Sequence, residues 1–372
     1  MRECITHRVP MRDPSDVSEI AALCNSGELI PSEVVAIFGK TEGNGCVNDF
    51  TRPYSVDALS LFFSDQLGCP RSEISSRIAM TISGGTEGAI SPHYLIFSIR
   101  GDTTINAGVQ PSPRLAIGTH RTRDLLPEEI GRVAQVEITA EAITNAMKAA
   151  NLDDPSDVHF VQIKCPLLTT DKIKTARDRS ARVVTKDTYA SMGYSRGAAA
   201  LAAGVALGSI KFENINDEVI CMDRSIWCDR ASASAGVEIE NCEVIVIGNS
   251  TEWSGNKIIS HDVMTDAIDV DAIWRALSAS GFSGPPQLNA TDVEKIVAVF
   301  VKAEPSSDGL IRGKRHIMTD DSDINATRHA RSVVGGVVGG AVGFTDIFVS
   351  GGAEHQGPDG GGPIALISQI GT

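Results

Sequence analysis

Three serines occur in copies of one short motif, and each copy follows an apolar segment that predicts a β-strand. The motif is Ser-(Gly/Ala)-Gly-x-Glu, and its copies begin at Ser83, Ser234 and Ser350. Glycine lets the backbone come close to a bound group, although a lone Ser-Gly-Gly is most often only a turn. Three copies after three strands predict a functional site to which the chain contributes three times. We expect Ser350 to stand on a glycine-rich loop just after the strand of residues 347–349.

Three lysines stand at the ends of apolar segments that also predict strands. They are Lys40, Lys164 and Lys302. A single lysine at a strand end is usually a solvated surface charge. Three lysines in the same position of successive segments indicate instead a shared site, in which the lysines and the serines face one cavity.

Three arginines repeat the same pattern at the starts of predicted helices. Arg196 and Arg331 come just before segments of Gly, Ala and Val, and Arg52 comes before a bulkier helical segment. Arg328 is an alternative to Arg331, but only Arg331 stands immediately before the small residues, as Arg196 does. Guanidinium groups are planar forks that bind carbonyl or enolate oxygens. Around one axis, the three sets predict a pocket for a small, flat ligand with three carbonyl oxygens.

A serine beside a lysine predicts nucleophilic catalysis without histidine. Burial and the positive field of nearby arginines lower the pKa of such a lysine, so that a neutral amine can accept the serine proton. We assign Lys164 as the base and Ser234 as the nucleophile, because this copy alone has Ala235 after its serine and Cys165-Pro166 after its lysine. Backbone N–H groups of the other two loops would stabilise the oxyanion. Attack by one of the other two serines stays open at this point.

The 372 residues repeat one order of features: a strand ending in lysine, an arginine before a helix, and a strand before serine. This order divides the chain into units of residues 1–104, 113–250 and 256–372, with Pro111 and Pro113 marking the first linker. A period of this length is too long for a solenoid. It predicts an α/β fold of three homologous repeats closed around a pseudo-threefold axis.

Composition excludes several other classes of protein. The net charge is −14 and no block of Lys and Arg occurs, which does not suit nucleic-acid binding. The longest small-apolar runs are shorter than the roughly 20 residues that cross a bilayer, and no apolar signal segment follows the first residues, so we expect a soluble, cytoplasmic protein. Eight cysteines without a Cys-x-x-Cys pair predict free thiols, and the eight histidines lack zinc-site spacing. Gly39-Lys40-Thr41 lacks the first glycine of a P-loop.

Long motifs make the sequence similar to one known family, the ring-opening amidohydrolases, over nearly the whole chain. The resemblance implies that the three repeats form a central β-barrel with helices outside, and that the protein is a hydrolase acting on a cyclic amide. The motifs include Gly-Lys-Thr-Glu-Gly-Asn-Gly-Cys-Val-Asn-Asp at 39–49, Leu-Pro-Glu-Glu-Ile-Gly-Arg at 126–132, Met-Gly-Tyr-Ser-Arg-Gly at 192–197, Ala-Ser-Ala-Ser-Ala-Gly at 231–236 and Asp-Ser-Asp-Ile-Asn at 321–325.

The resemblance also implies roles for particular residues. Lys164 and Ser234 would act in catalysis. It implies no organic cofactor but a structural divalent cation, Mg²⁺ or Ca²⁺, where composition alone would favour a glycine-rich turn without an ion. The residues expected around the substrate are Lys40, Arg52, Ser83, Gly84, Arg196, Ser234, Ala235, Lys302, Arg331, Ser350 and Gly351. The expected metal ligands are Glu304, Ala353, Gln356, Gly357, Pro358 and Gly361.

The implied reaction is hydrolytic opening of the s-triazine ring of cyanuric acid. Attack by Ser234 would lead to carboxybiuret, which loses CO₂ to give biuret, and a homotetramer is implied as well. Barbituric acid, in which carbon replaces one ring nitrogen, is the alternative substrate, and a pocket that binds three edges alike disfavours it. A non-catalytic threefold binding protein would need the lysines to be exposed.

Overall fold

Apolar segments that are almost completely buried form the three strands that carry Lys40, Lys164 and Lys302 one or two residues before their last residue. A computed structural model describes residues 1–101, 112–284 and 286–370. The part of the chain that it describes is a mixed α/β structure. Pro111 of the predicted linker, and residues 102–104, 285 and 371–372 of the predicted units, lie outside this part.

Fifteen strands are present in the described residues. They are β1 (Arg2–Pro10), β2 (Val34–Thr41), β3 (Ala79–Gly84), β4 (His93–Arg100), β5 (Arg114–Arg121), β6 (Val158–Pro166), β7 (Ala231–Gly236), β8 (Glu243–Ser250), β9 (Trp253–Ser254), β10 (Lys257–Met264), β11 (Ile296–Ala303), β12 (Leu310–Ile311), β13 (Lys314–Arg315), β14 (Phe348–Gly351) and β15 (Gly362–Gln369).

Nine α-helices connect these strands within the same ranges, and none of them is both long and apolar enough to cross a membrane. They are α1 (Ser18–Ser26), α2 (Thr51–Leu67), α3 (Arg71–Arg77), α4 (Val133–Ala149), α5 (Thr170–Asp178), α6 (Thr188–Ala206), α7 (Val270–Ala279), α8 (Ala290–Val293) and α9 (Ala326–Val342).

The long strands form three sheets that share one strand order. The sheets run β3-β2-β4-β1-β9, β7-β6-β8-β5 and β14-β11-β15-β10. In each sheet the lysine strand pairs in parallel with the serine strand on one side and antiparallel with the last strand of its segment on the other. The expected central barrel is not closed by hydrogen bonds in the described residues, where these strands belong to three separate sheets.

Aromatic side chains from the three sheets meet at the centre of the core. The ring of Phe300 lies 4.6 Å from that of Phe160 and 5.1 Å from that of Phe38, measured between centroids. These three residues lie on β11, β6 and β2. Because side chains alternate along a strand, Phe38 shares a face with Lys40, and Phe300 with Lys302. The lysines therefore lie on the faces by which the sheets pack together.

Two local predictions are wrong. Arg196 and Arg331 do not open their helices but lie inside α6 and α9. Each helix begins earlier, because the side chains of Asp187 and Asn325 accept hydrogen bonds from the first-turn N–H groups of Ala190 and Thr327 and so act as N-caps.

The second wrong prediction concerns the position of Ser350. Ser350 lies within β14 rather than on the loop after it, and the two other serines likewise lie inside strands. The parallel partner strand continues beside each serine and supplies backbone hydrogen bonds, which extends the strand into the glycine-rich segment. All eight cysteines are free, as the sequence predicts.

Candidate active site

Each serine is paired in register with one lysine. In the parallel pair of the first sheet Lys40 stands opposite Ser83, and in the third sheet Lys302 stands opposite Ser350. In the second sheet Lys164 is the partner of Ser234. Residues directly opposite one another on neighbouring strands point to the same side of the sheet. The strand register thus creates three serine–lysine neighbours.

One cavity collects most of the residues expected around a substrate. Its volume is about 290 Å³ including the part open to solvent. Of the two rival arginines, Arg331 lines it, whereas Arg328 lies with its side chain 37% exposed. The cavity is lined by Gly45, Arg52, Ser83, Gly84, Lys164, Met192, Arg196, Ser234, Ala235, Arg331, Ser350 and Gly351.

Two of the lysines donate hydrogen bonds directly to their serines. Lys302 Nζ lies 3.0 Å from Ser350 Oγ, and Lys40 Nζ lies 3.3 Å from Ser83 Oγ. Lys302 Nζ also donates to the backbone oxygen of Ala233 in the second sheet, at 2.9 Å. These lysines are fully buried beneath the cavity and hold the serine hydroxyls in place.

The lysine of the second sheet has different partners. Lys164 Nζ forms an ion pair with Glu238 Oε1 at 2.6 Å and donates to the backbone oxygen of Ile82 at 2.9 Å. Ser234 Oγ lies 3.5 Å from Gln162 Nε2, and among the described residues no hydrogen bond joins it to Lys164. The predicted catalytic pair is therefore adjacent in the sheet, but its amine is held by a carboxylate.

Burial lowers the pKa of all three lysines. For Lys302 burial and the charge of Arg196 lower the pKa to about 7, and for Lys40 burial and Arg331 lower the pKa well below 10.5. Burial lowers the pKa of Lys164 as well, although Glu238 opposes that shift by stabilising the ammonium form. The site thus disfavours three simultaneous ammonium charges.

Each predicted arginine contacts the glutamate of a serine motif in another sheet. Arg331 Nε and Nη2 donate to Glu87 at 2.8 and 2.5 Å, and Arg196 Nε and Nη2 donate to Glu354 at 2.8 and 2.6 Å. Such two-point pairing fixes the plane of a guanidinium. These contacts run from the third segment to the first and from the second to the third.

The third arginine–glutamate contact, from the first segment to the second, is longer than the other two. Arg52 Nε lies 3.8 Å from Glu238 Oε1, and its Nη1 donates instead to the backbone oxygen of Ala235 at 3.3 Å. Burial would raise the pKa of the Glu238 carboxyl, but Lys164 and Arg52 outweigh burial and lower it. Glu238 is therefore shared between an arginine and a lysine.

The glycine two places after each serine explains why Glu238 contacts a lysine, whereas Glu87 and Glu354 are held by arginines. A Cβ on Gly85 or Gly352 would lie within 2.5 Å of the arginine that clamps the loop, and both glycines have positive φ, +101° and +81°. A Cβ on Gly236 would instead lie 2.2 Å from Glu238 Oε2. The second loop folds its own carboxylate back over the glycine, toward the lysine.

The expected metal ligands lie beside a second cavity. Glu304, Ala353, Gly357 and Pro358 line it. Burial and the neighbouring Glu354 raise the pKa of Glu304 to about 7, so a cation beside this carboxylate would relieve a buried repulsion. The Gln356 side chain faces away, because its Oε1 accepts from Ala233 N at 2.6 Å.

A carboxylate with loop carbonyls is the donor set of a hard cation, and it fits Mg²⁺ or Ca²⁺. Gly361 N donates to the Pro358 carbonyl at 2.9 Å, which closes the loop on itself. No group of three or more His, Cys, Asp and Glu side chains that could hold a metal occurs among the described residues. Backbone oxygens would therefore have to supply most of the ligands.

Sequence reasoning missed the glutamates of the serine motifs. Glu87, Glu238 and Glu354 were part of the recognised pattern but received no role. Each glutamate stands four residues after its serine, and three arginines without assigned ion-pair partners had also been recognised. Together these two patterns could have predicted arginine–glutamate pairs. For Gln162 and Met192, which also lie at the site, the sequence offered no comparable signal.

The chain belongs to the amidohydrolase ring-opening protein family, whose model matches residues 5–369. This confirms the predicted family and the class of enzyme, a hydrolase of cyclic amides.

Curated relatives match nearly the whole length of this chain, and solved structures match all of it. A cyanuric acid amidohydrolase of Ectopseudomonas oleovorans is 51% identical over 360 residues, covering 97% of this chain and 98% of the relative. One of Enterobacter cloacae is 50% identical over 362 residues, covering 97% and 98%. The crystal structure of the cyanuric acid hydrolase from A. caulinodans superposes with a TM-score of 0.91 at 48% identity and covers 100% of both chains. Another cyanuric acid hydrolase structure gives a TM-score of 0.94 at 46% identity, also with complete coverage of both chains.

The lowered pKa of Lys40 predicts a pH dependence of stability. The unfolded chain holds this proton up to the ordinary lysine pKa of 10.5, whereas the folded protein releases it at lower pH. Stability therefore rises with pH in the range below 10.5, by up to about 1.4 kcal/mol per pH unit from this group. Lys40→Met should remove that contribution, measured by urea unfolding between neutral pH and the ordinary lysine pKa. The exposed Lys174→Met is the control, and an unchanged slope in Lys40→Met would contradict the buried-amine interpretation.

Proposed function

We propose that this protein hydrolyses cyanuric acid, opening its s-triazine ring to carboxybiuret, which then decarboxylates to biuret and CO₂. The observation that carries the proposal is the cavity lined by three serines and three arginines, each serine in register with a buried lysine. A ring with three equivalent carbonyl groups matches such a set of donors. Full-length relatives at about 50% identity are named cyanuric acid amidohydrolases, which supports the same substrate.

The proposal includes a pseudo-threefold arrangement of three repeats, which the common strand order of the sheets supports. In this arrangement Arg52, Arg196 and Arg331 each hold one edge of the ring. Two of them are oriented by glutamate clamps, so little side-chain entropy is lost when their remaining N–H groups meet a carbonyl oxygen. The homotetramer implied by the family resemblance stays a prediction.

Acylation begins with proton transfer from Ser234 Oγ to the neutral amine of Lys164. The Oγ atom bonds to a ring carbonyl carbon, and backbone N–H groups of the serine loops stabilise the oxyanion. The carbon–nitrogen bond then breaks, and Lys164 returns the proton to the leaving ring nitrogen. The ring is now open and joined to Ser234 through its carbonyl carbon.

Deacylation reverses the proton movements. Water attacks the same carbon while Lys164 accepts one of its protons, and Ser234 Oγ leaves with that proton. Carboxybiuret is released, and it loses CO₂ without further help from the chain. Every proton that Lys164 accepts in one step is returned in the next.

Choosing Lys164 and Ser234 as the reacting pair needs a structural argument, because hydrogen bonding alone favours Lys302 and Ser350. A lysine that donates to its serine holds the hydroxyl as an acceptor, which suits binding of a ring edge. Lys164 does not donate to Ser234, and its carboxylate partner distinguishes it from the other two lysines. We therefore assign nucleophilic attack to Ser234.

The first experiment measures turnover of two ring substrates. Loss of ultraviolet absorbance with formation of biuret is expected for cyanuric acid. For barbituric acid kcat/KM should be at least about tenfold lower, because one ring edge lacks the nitrogen that a threefold site would bind. If the enzyme prefers barbituric acid, then barbituric acid is the substrate and the proposal is wrong. If it hydrolyses neither compound, the alternative of a non-catalytic threefold binding protein is favoured.

Serine-to-alanine variants test which pair reacts. Ser234→Ala should lower kcat by about 10⁴-fold or more, since it removes the nucleophile, and Lys164→Met should lower kcat similarly. Ser83→Ala and Ser350→Ala serve as matched controls that remove only binding contacts and should leave measurable turnover with a raised KM. Loss of turnover in Ser350→Ala with retention in Ser234→Ala would transfer the chemistry to the third pair.

We further propose a structural Mg²⁺ or Ca²⁺ held by Glu304 and by backbone oxygens of the loop from Ala353 to Gly361. The ion would stabilise the loop that carries Glu354, and it would take no part in the reaction.

After treatment with a chelator, addition of the cation should raise the unfolding temperature. The gain in stability should approach about 2.7 kcal/mol at a hundredfold excess over Kd. Glu304→Gln should abolish this gain, whereas Glu294→Gln, at an exposed position, should retain it. A response that is equal in both variants would contradict the assignment of Glu304.

A further inference from the structure

A third cavity reaches Lys164 from a different set of residues than the substrate cavity. It encloses about 730 Å³, including the part open to solvent, and its lining includes Met80, Arg121, Lys164, Glu238 and Glu243. Lys164 lines this cavity and the substrate cavity, whereas Glu238 lines only the former. The Lys164–Glu238 ion pair thus stands between the reacting side of the site and a separate opening to solvent.

Glu238 has unused hydrogen-bonding capacity in this position. Its Oε1 is 2.6 Å from Lys164 Nζ as an ion pair, and neither of its two buried carboxylate oxygens has a hydrogen-bond partner among the described residues. A buried carboxylate oxygen without a partner is costly, and such exceptions are often functional. The glutamate is placed to exchange a proton with the amine on one side.

The equivalent glutamates are not available for this task. Glu87 and Glu354 are each held by two hydrogen bonds from an arginine, and among the described residues neither forms an ion pair with a lysine. Glu238 has only the 3.8 Å contact to Arg52 Nε from its arginine. The second pair is thus the one of the three in which the glutamate lies in contact with the lysine amine.

The other charged groups around this pair are already engaged. Arg52 lies on one side, and in the third cavity Arg121 is paired with Glu243. Glu243 Oε2 also accepts from Met80 N at 2.7 Å. At the rim, Asp124 accepts from Asn241 and Glu240 pairs with Lys172. These contacts leave the carboxylate of Glu238 as the group best placed to receive a proton from Lys164.

We propose that Glu238 accepts the proton of the Lys164 ammonium group, so that the amine becomes a base without releasing that proton to the substrate cavity. The inference rests on the proposed Ser234–Lys164 chemistry. The step converts an ammonium–carboxylate pair into an amine and a carboxylic acid, with no net change of charge. The third cavity lets this proton exchange with solvent. Glu238 acts through Lys164 and does not touch the ring.

The pH profile of Glu238→Gln tests the inference. Without the carboxylate, only the free enzyme in which Lys164 has already lost its proton to solvent can react, so kcat/KM should fall about tenfold per pH unit below the lysine pKa and recover above it. Comparison with the wild type at each pH cancels titration of cyanuric acid itself. Glu87→Gln is the matched control, and the ratio of its kcat/KM to that of the wild type should be independent of pH.

Two results would overturn the proposal while the wild type remains active. A pH-independent loss in Glu238→Gln would show a purely structural role. A shift of the acidic limb to lower pH would show that the glutamate only stabilises the charged lysine. Failure of the wild type to hydrolyse cyanuric acid would contradict the proposed function instead, so the two failures are distinguishable.

Chemical rescue provides a second test and also covers poor folding of the glutamine variant. Glu238→Ala leaves space that opens to the third cavity. Added formate should raise the kcat/KM of this variant at least tenfold at low pH. Chloride at the same ionic strength is the control for salt. An unfolding temperature close to that of the wild type shows that the alanine variant is folded. If formate then fails to restore activity, small carboxylates and protons do not pass through this cavity.

Discussion

Burial of several positive charges around one small cavity is the constraint on which the site depends. Three lysines and three arginines surround the space between the sheets, and burial lowers the pKa of every one of the lysines. Three glutamates offset the arginines from outside the cavity. In the proposed reaction, the remaining positive field would stabilise a ring whose carbonyl oxygens become more negative during attack. The same field favours neutral lysine amines, which are the form required of a base.

The cycle of arginine–glutamate contacts makes the site a property of the whole chain. Arg331 reaches Glu87 across 244 positions, and Arg196 reaches Glu354 across 158. No unit of the predicted set therefore contains both the arginine and the glutamate of one such clamp. The three predicted units are useful for describing sequence repeats, but the arginines are oriented only when all three sheets have packed. Folding of the core around Phe300 and its partners is thus a condition for assembling the cavity.

Recurring residue types made much of the site predictable. The three lysines, arginines and serines were identified because each occurred in the same position of successive segments, and the structure brings them together. Interactions between distant segments were less accessible, since neither the pairing of Glu87 with Arg331 nor the sharing of Glu238 can be deduced from spacing. Helix starts were misplaced for a local reason, because the capping side chains Asp187 and Asn325 stand well before the small-residue segments.

Departure from the repeat is as informative as the repeat itself. Ala235 marked the second copy as different at the level of sequence, and the structure adds that Gly236 makes room for a carboxylate where its counterparts make room for an arginine. Three identical sites would bind a threefold ring well but would offer no preferred carbonyl for attack. A single loop that turns its glutamate toward its lysine breaks this equivalence. In the proposed mechanism, binding would use all three copies, while proton transfer would be confined to the copy in which the lysine amine contacts a glutamate.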